Sequence, residues 1–116
     1  MSLHPELQSG EVVTLQVDFG DDSEVKSRPV LVISQNILHQ NSQGFIFLGI
    51  TTNTSGQYML PITDSDFESG RLNQPSNVIY DKPIWAEQID IRKKIGRVNN
   101  EFLNRIMALL KNDILS

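Results

Sequence analysis

Apolar and polar residues alternate near the start of the chain and predict its first strand. Across residues 11–19, one face would carry Val13, Leu15, Val17 and Phe19. A period of two residues is typical of a strand that is buried on one side only. The residues that follow, 20–23, are glycine, aspartate and serine, which favour a turn. We therefore expect a half-buried strand that ends in a polar loop.

Two later runs are apolar on both faces, which is typical of central strands. They span residues 28–34 and 44–50, and Thr51 directly follows the second run. If the runs pair as an antiparallel hairpin, with residues 35–44 as the connection, Arg28 lies opposite Thr51 and their Cβ atoms are about 5 Å apart. The pattern thus predicts a cation and a hydroxyl at one edge of the sheet. A slip of one residue would turn one of them to the other face, and strand ends also carry polar residues simply because they reach water.

The later segments predict more strands and a terminal helix. We expect a loop with a helical turn at residues 35–43, a hydroxyl-rich turn at 51–56 with the returning strand at 57–62, and further strands at 77–80 and 83–91. On the last strand, Trp85 is a candidate for an interface or for base stacking, although a core position is commoner.

Residues 99–116 show the capping and the periodicity of a helix. Asn99 or Asn100 is a suitable N-cap, and Glu101 would lie in the first turn. Apolar residues then recur at helical spacing: Phe102, Leu103, Ile106, Leu109, Leu110 and Ile114. A stripe of this width is expected to pack on the sheet, although a partner helix could also use it.

Length and composition fit one small globular domain. The 116 residues have room for a single core, so we expect one domain over 1–116 with a flexible tail at 1–8. The absence of cysteine excludes disulfides and thiolate metal sites. No apolar run reaches the length of a membrane span, and residues 1–9 lack the features of a signal peptide. These features predict a soluble, cytoplasmic protein without a membrane partner.

Charge is distributed unevenly along the chain. The net charge of −4 argues against a general nucleic-acid binder, because phosphate affinity comes mainly from Lys and Arg. Residues 1–70 hold two basic and nine acidic side chains, whereas residues 71–116 hold eight basic and five acidic ones. A basic cluster falls within the later half: Arg92, Lys93, Lys94 and Arg97. We expect this cluster to attract a polyanion or an acidic peptide, and a solvated charged loop is an equally good interpretation.

An ordered set of short segments resembles the MazF/PemK family of bacterial toxins. The segments are Gly10-Glu11-Val12-Val13, Ser23-Glu24, Arg28 to Ser34, Ile50-Thr51 and Glu87-Gln88-Ile89. The resemblance covers the chain from about residue 9 to the terminal helix. It departs from the family between Glu24 and Arg28, where this chain is one residue shorter than is usual.

The resemblance implies an α+β fold that is mainly β, a small SH3-like or MazF-type β-barrel with a C-terminal α-helix. It also implies a homodimer and a sequence-selective endoribonuclease that cuts single-stranded RNA without a metal or other cofactor and is neutralised by an antitoxin. The expected catalytic residues are Arg28, Thr51 and Glu24. The expected RNA-binding residues are Thr52, Ser34, Asn36, Phe19 and Gln88. The expected antitoxin-binding residues are Arg92, Lys93, Lys94 and Arg97.

The chemistry of these residue types suits RNA cleavage by the neighbouring 2′-hydroxyl. The guanidinium of Arg28 is always charged and presents a planar fork to phosphate, so it would stabilise charge that grows on the phosphoryl oxygens. Thr51 would donate a hydrogen bond to the same group, and Glu24 could act as the base. Two other classes remain open: a toxin of the same fold that poisons DNA gyrase, and a plain SH3-like interaction module.

Overall fold

The computed structural model describes residues 7–18 and 25–116, which form nine strands and one helical region. The strands are β1 Glu11–Asp18, β2 Val25–Val32, β3 Ile37–His39, β4 Ser42–Thr51, β5 Met59–Ile62, β6 Phe67–Gly70, β7 Ser76–Ile79, β8 Ile84–Glu87 and β9 Ile91–Val98. Helix α1 spans Asn100–Leu109 and continues as a π-helical segment at Leu110–Leu115. Short 3-10 turns lie at Asp64–Asp66 and Gln88–Asp90.

The strands form a curled antiparallel sheet of the MazF type, which confirms the predicted fold class. Its order is β5-β7-β4-β2-β1-β9-β6, and β3 and β8 both pair with β4 in addition. Strand β4 is the longest, and it is the only described strand that joins four others. Strands β2 and β4 therefore lie in the middle of the sheet.

Two apolar clusters lie on opposite sides of the sheet. One contains alternate residues of the central strands together with Phe102 and Ile106 of α1. The predicted stripe of α1 thus packs on the sheet, as expected. Asn99 is the N-cap, because its side chain accepts a hydrogen bond from Phe102 N at 2.8 Å. The other cluster contains Val30, Phe47 and their neighbours on the second face.

The predicted register between the two central strands is confirmed where they pair. Val30 lies opposite Gly49, and Val32 lies opposite Phe47. Extending this register by two residues sets Arg28 beside Thr51. At this end of β4, Ile50 and Thr51 also pair with β7.

Two connections differ from the sequence prediction. Residues 37–44 form a hairpin rather than a loop with a helical turn, because Gln40 and Asn41 adopt positive φ angles of 50° and 70°, which a tight hairpin turn requires. Strand β5 does not return beside β4; it pairs with β7, which lies between them. Sequence alternation predicts a strand but not its neighbour.

The strand predicted at residues 83–91 is broken. It consists of β8, a 3-10 turn and the first residue of β9. The alternation of β8 continues to Gln88, which is buried, and Ile89, which is 62% exposed; the turn then shifts it, so Ile91 is 4% exposed. The basic cluster at residues 92–97 then belongs to β9 and not to a loop.

Residue 7, which was expected to lie in the flexible tail, belongs to the core. Leu7 is 8% exposed and packs in the second apolar cluster. No helix within residues 7–18 and 25–116 combines the length and the apolar character needed to cross a bilayer.

Candidate functional site

Arg28 lies inside strand β2 rather than at its start. The strand begins at Val25, and Arg28 lies opposite Leu15 of β1. Its side chain is exposed, so a permanent cation stands on the surface of a central strand. A side chain on a strand interior is held more firmly than one at a frayed end, which suits a group that must be placed accurately against a phosphate.

Thr51 ends strand β4 with its hydroxyl in a defined position. The Oγ1 atom accepts a hydrogen bond from Asn53 N at 3.1 Å. Because that bond uses a lone pair, the hydroxyl hydrogen remains able to donate to a ligand oxygen. Asn53 in turn accepts from Ser55 N at 3.0 Å, which orders the loop that follows. The hydroxyl-rich segment therefore has the predicted turn chemistry and also presents a donor.

Arg28 lies on the face of β2 that carries Val30, a residue of the second apolar cluster, because side chains alternate along a strand. Facing residues of paired strands project to the same side, so Arg28 shares this face with Leu15. A cavity of about 350 Å³ is lined by Leu15, Gln16, Ile84, Trp85, Ala86, Glu87 and Asp90, and we call it the tryptophan pocket. Trp85 is 41% exposed, so it is not a core residue.

Gly44 explains how Trp85 comes to lie over strand β4. A Cβ atom at residue 44 would come within 2.5 Å of the Ala86 carbonyl oxygen and 2.8 Å of the Trp85 ring. Only glycine allows β8 and its indole to approach this closely. The ring is therefore positioned by the backbone beneath it.

The expected RNA-binding residues are in different situations. Ser34 accepts from Ile46 N at 2.8 Å and donates to Gln35 O at 2.9 Å, so its hydroxyl already holds two strands together. Gln88 is 6% exposed and donates to Gln43 Oε1 at 3.3 Å. Asn36 and Thr52 are exposed. Phe19 and Glu24 lie outside the described residues.

Thr52 belongs to a second cavity, whose lining shares no residue with that of the tryptophan pocket. The cavity has a volume of about 500 Å³. Its walls are Thr14, Pro29, Thr52, Arg71, Leu72, Asn73, Gln74, Ser76, Lys93, Lys94 and Ile95. The lining includes three cationic residues and no acidic one, so we call it the basic cleft. No sequence pattern singles out Arg71, because strand pairing alone brings it near Lys93.

A pair of glycines places Arg71 in the basic cleft. Gly70 ends β6 opposite Gly96 of β9 and has a φ angle of +72°. A Cβ at residue 70 would lie 2.2 Å from the Ile95 carbonyl oxygen. The close approach lets the chain turn immediately after β6, so Arg71 stands beside the β9 lysines.

The basic cluster of β9 is divided between structural and exposed roles. Glu11 is 4% exposed and is held by Lys94 Nζ at 3.1 Å and by Arg97 Nη1 at 3.3 Å. Arg92 donates to Ile89 O at 2.7 Å and also to Gln16 Oε1. Lys93 is exposed and forms no ion pair with any other described residue. The four residues predicted as one antitoxin-binding group therefore have unequal freedom to meet a partner.

One perturbed titratable group lies away from both cavities. Tyr80 donates a hydrogen bond to Asp113 Oδ2 at 2.8 Å, and this bond together with burial raises the pKa of Tyr80 to about 12. The hydrogen bond ties the π-helical end of the chain to the residue that follows β7. It therefore has a structural role.

Carboxylates and histidines do not converge within residues 7–18 and 25–116. No group of three or more such side chains that could hold a metal ion occurs there.

Comparisons with known proteins agree with this fold. The model of the PemK-like, MazF-like toxin of type II toxin-antitoxin systems matches residues 8–112. Curated protein sequences give no significant match. Among solved structures, the Mycobacterium tuberculosis toxin MazF-mt6 is similar, with a TM-score of 0.67, 22% identity, and coverage of 90% of this chain and 97% of that chain. A mycobacterial endoribonuclease in complex with its cognate antitoxin has a TM-score of 0.67, 17% identity, and coverage of 90% and 91%.

Proposed function

Because the chain belongs to the PemK-like, MazF-like toxins of type II toxin-antitoxin systems, we propose that it is an endoribonuclease that cuts single-stranded RNA without a metal ion. The observation that carries the proposal is the register of β2 and β4. Val30 pairs with Gly49, and continuation of that register would set Arg28 beside Thr51 on one face of the sheet.

The proposed reaction is attack of a ribose 2′-hydroxyl on the adjacent phosphate. The new oxygen–phosphorus bond closes a 2′,3′-cyclic phosphate, and the bond to the next nucleotide's 5′-oxygen breaks. Negative charge grows on the phosphoryl oxygens during this step, and the Arg28 guanidinium would stabilise it through two parallel hydrogen bonds. The Thr51 hydroxyl, already oriented by Asn53 N, would donate a third.

Proton transfer completes the scheme. A base must take the proton of the 2′-hydroxyl and an acid must supply one to the departing 5′-oxygen, which leaves as a hydroxyl. Glu24 is the proposed base and lies outside the described residues. Arg28 is a poor proton carrier because its guanidinium stays protonated, so its proposed role is electrostatic.

Substrate and protein partners form the rest of the proposal. The indole of Trp85 is exposed and offers a surface that either an unpaired base or a second copy of the chain could cover. Ile84 and Trp85 are both exposed apolar residues on the short strand β8, which supports a homodimer that covers this strand. The antitoxin would neutralise the toxin, with Arg92, Lys93, Lys94 and Arg97 as the predicted contacts.

Purified protein incubated with mixed single-stranded RNA and a chelator tests the proposal. We expect cleavage at the same rate with and without the chelator, and products that end in a 2′,3′-cyclic phosphate and a 5′-hydroxyl. Cleavage that requires an added divalent ion would contradict the mechanism. No cleavage, together with inhibition of DNA gyrase, would favour the gyrase-poison alternative, and neither activity would favour the interaction module.

A further inference from the structure

The basic cleft adjoins the proposed catalytic residues along the chain, because Pro29 and Thr52, which directly follow Arg28 and Thr51, line it. Thr51 belongs to the face of Arg28, whereas Thr52 lines the cleft. Consecutive Cα atoms are about 3.8 Å apart. An RNA strand that passes the end of β4 at Thr51 therefore lies close to the mouth of the cleft.

The charges that line the cleft are not equally available. Lys94 is engaged by Glu11 at 3.1 Å. Arg71 and Lys93 are exposed, and neither forms an ion pair with another described residue. Arg71 and Lys93 can therefore pair with a charged ligand without breaking an ion pair to another described residue.

The other lining groups are suited to a sugar-phosphate backbone. Thr14, Thr52 and Ser76 supply hydroxyls, and Asn73 and Gln74 supply amides. Hydroxyl, amide and cationic donors are the groups with which proteins contact phosphate oxygens and sugars. A peptide usually binds along an open strand edge or in an apolar groove, and the cleft is neither, because its floor consists of the paired strands β1, β2 and β9.

We propose that the basic cleft is a subsite for the RNA backbone that flanks the cleaved phosphate, with Arg71 and Lys93 each contacting a phosphate. This inference rests on the proposed function, because it takes RNA as the ligand. It assigns to Arg71 a part in substrate binding that the sequence pattern did not indicate. The cleft holds the strand, and the chemical step takes place at Arg28 and Thr51.

A binding measurement with RNA that cannot be cut tests the subsite independently of catalysis. The probe is a short, fluorescein-labelled RNA of mixed sequence with every 2′-hydroxyl methylated, and its anisotropy is followed during titration with protein. The test variant is Arg71→Gln/Lys93→Gln. The matched control is Arg105→Gln/Lys111→Gln, which removes the same charges from exposed positions of the terminal helix.

We expect the test variant to bind the probe about 10-fold more weakly at low salt, and the control to bind like the unmodified protein. The slope of the logarithm of affinity against the logarithm of salt concentration should become shallower by about 0.7 for each phosphate that the variant no longer neutralises. Equal affinity of the two double variants would overturn the inference. So would a test variant whose affinity falls for an aspartate-rich peptide but not for the RNA probe, since the cleft would then be a peptide site.

The outcome is separable from that of the proposed function. A protein that binds the probe through Arg71 and Lys93 but cleaves no RNA would support the subsite and contradict the nuclease assignment. A protein that cleaves RNA while the test variant binds the probe normally would support the nuclease assignment and contradict the subsite.

Discussion

The tryptophan pocket and the basic cleft share strand β1 but have opposite chemistry. Leu15 lines the first region and its neighbour Thr14 lines the second, as do Pro29 and Thr52, which directly follow Arg28 and Thr51. Because side chains alternate along a strand, one stretch of sequence furnishes two surfaces. A residue's distance along the chain therefore says little about the surface to which it contributes.

The two regions also differ in charge and in the way they are fixed. The tryptophan pocket contains Glu87 and Asp90, and its indole rests over Gly44. The basic cleft contains three cations, and Gly70 brings one of them, Arg71, against β9. Both regions depend on a glycine that permits close backbone approach. The difference in charge favours the basic cleft over the tryptophan pocket as the place where a polyanion is retained.

The glycine beneath the basic cleft should have the largest effect on stability. Gly70→Ala should lower the free energy of unfolding by about 2–4 kcal/mol, because residue 70 has a positive φ angle and its new methyl group would meet the Ile95 carbonyl oxygen. Gly49→Ala is the control, since a Cβ there has no neighbour within 4 Å. Urea unfolding monitored by circular dichroism measures both. Equal stability of the two variants would show that the close approach of β6 to β9 is not a constraint.

Substitution of the neighbouring residues Thr51 and Thr52 should affect kcat and KM differently. Thr51→Ala should lower kcat for RNA cleavage about 10-fold, because it removes a hydrogen bond to the reacting phosphate, and a neutral bond contributes less than the charged fork of Arg28. Thr52→Ala should mainly raise KM, because its hydroxyl lines the cleft. Steady-state kinetics of the two variants measures both effects, and a fall in kcat for Thr52→Ala alone would reverse the assignment of the two threonines.

Tyr80 lines neither cavity, so its substitution should lower the stability of the protein without altering the tryptophan pocket or the basic cleft. Tyr80→Phe removes the bond to Asp113, at a cost of about 1 kcal/mol at about pH 9. The pKa of Tyr80 is about 12 in the folded protein against an ordinary value of 10.0, so this stabilisation is present below pH 10 and is lost as the pH rises towards 12. Unfolding free energies measured at about pH 9 and about pH 11 should show the difference between the two proteins shrinking. A constant difference would contradict the raised pKa.

Sequence reasoning succeeded where the physics is local or strictly periodic. The cap at Asn99, the apolar stripe of α1 and the register of β2 with β4 all follow from spacing alone. It was wrong about residues 83–91, because a single 3-10 turn at Gln88–Asp90 shifts the alternation and no pattern of apolar residues indicates it. The same limit applies to the hairpin at Gln40, where two non-glycine residues adopt positive φ angles.

The basic cleft was only partly visible in the sequence. Lys93 and Lys94 stand in an obvious cluster, but their neighbours Arg92 and Arg97 are engaged with Gln16 and Glu11. Arg71 is distant in sequence and enters the cleft through the pairing of β6 with β9. Pairing of strands that are far apart in the chain depends on the whole sheet. The division of one charge cluster into structural and exposed members is therefore visible only in the folded chain.

Single-turnover cleavage at saturating RNA compares the contribution of Arg28 to the reaction rate with that of the basic cleft. For Arg28→Ala, folded as judged by circular dichroism, we predict a rate lower by about 10²-fold or more, because it removes a preorganised charge from the transition state. For Arg71→Gln/Lys93→Gln, saturation should compensate for the weakened binding and leave the rate within about threefold of the unmodified protein. A full rate in Arg28→Ala, or an equal loss of rate in both variants, would contradict the assignment of chemistry to Arg28 and RNA retention to the basic cleft.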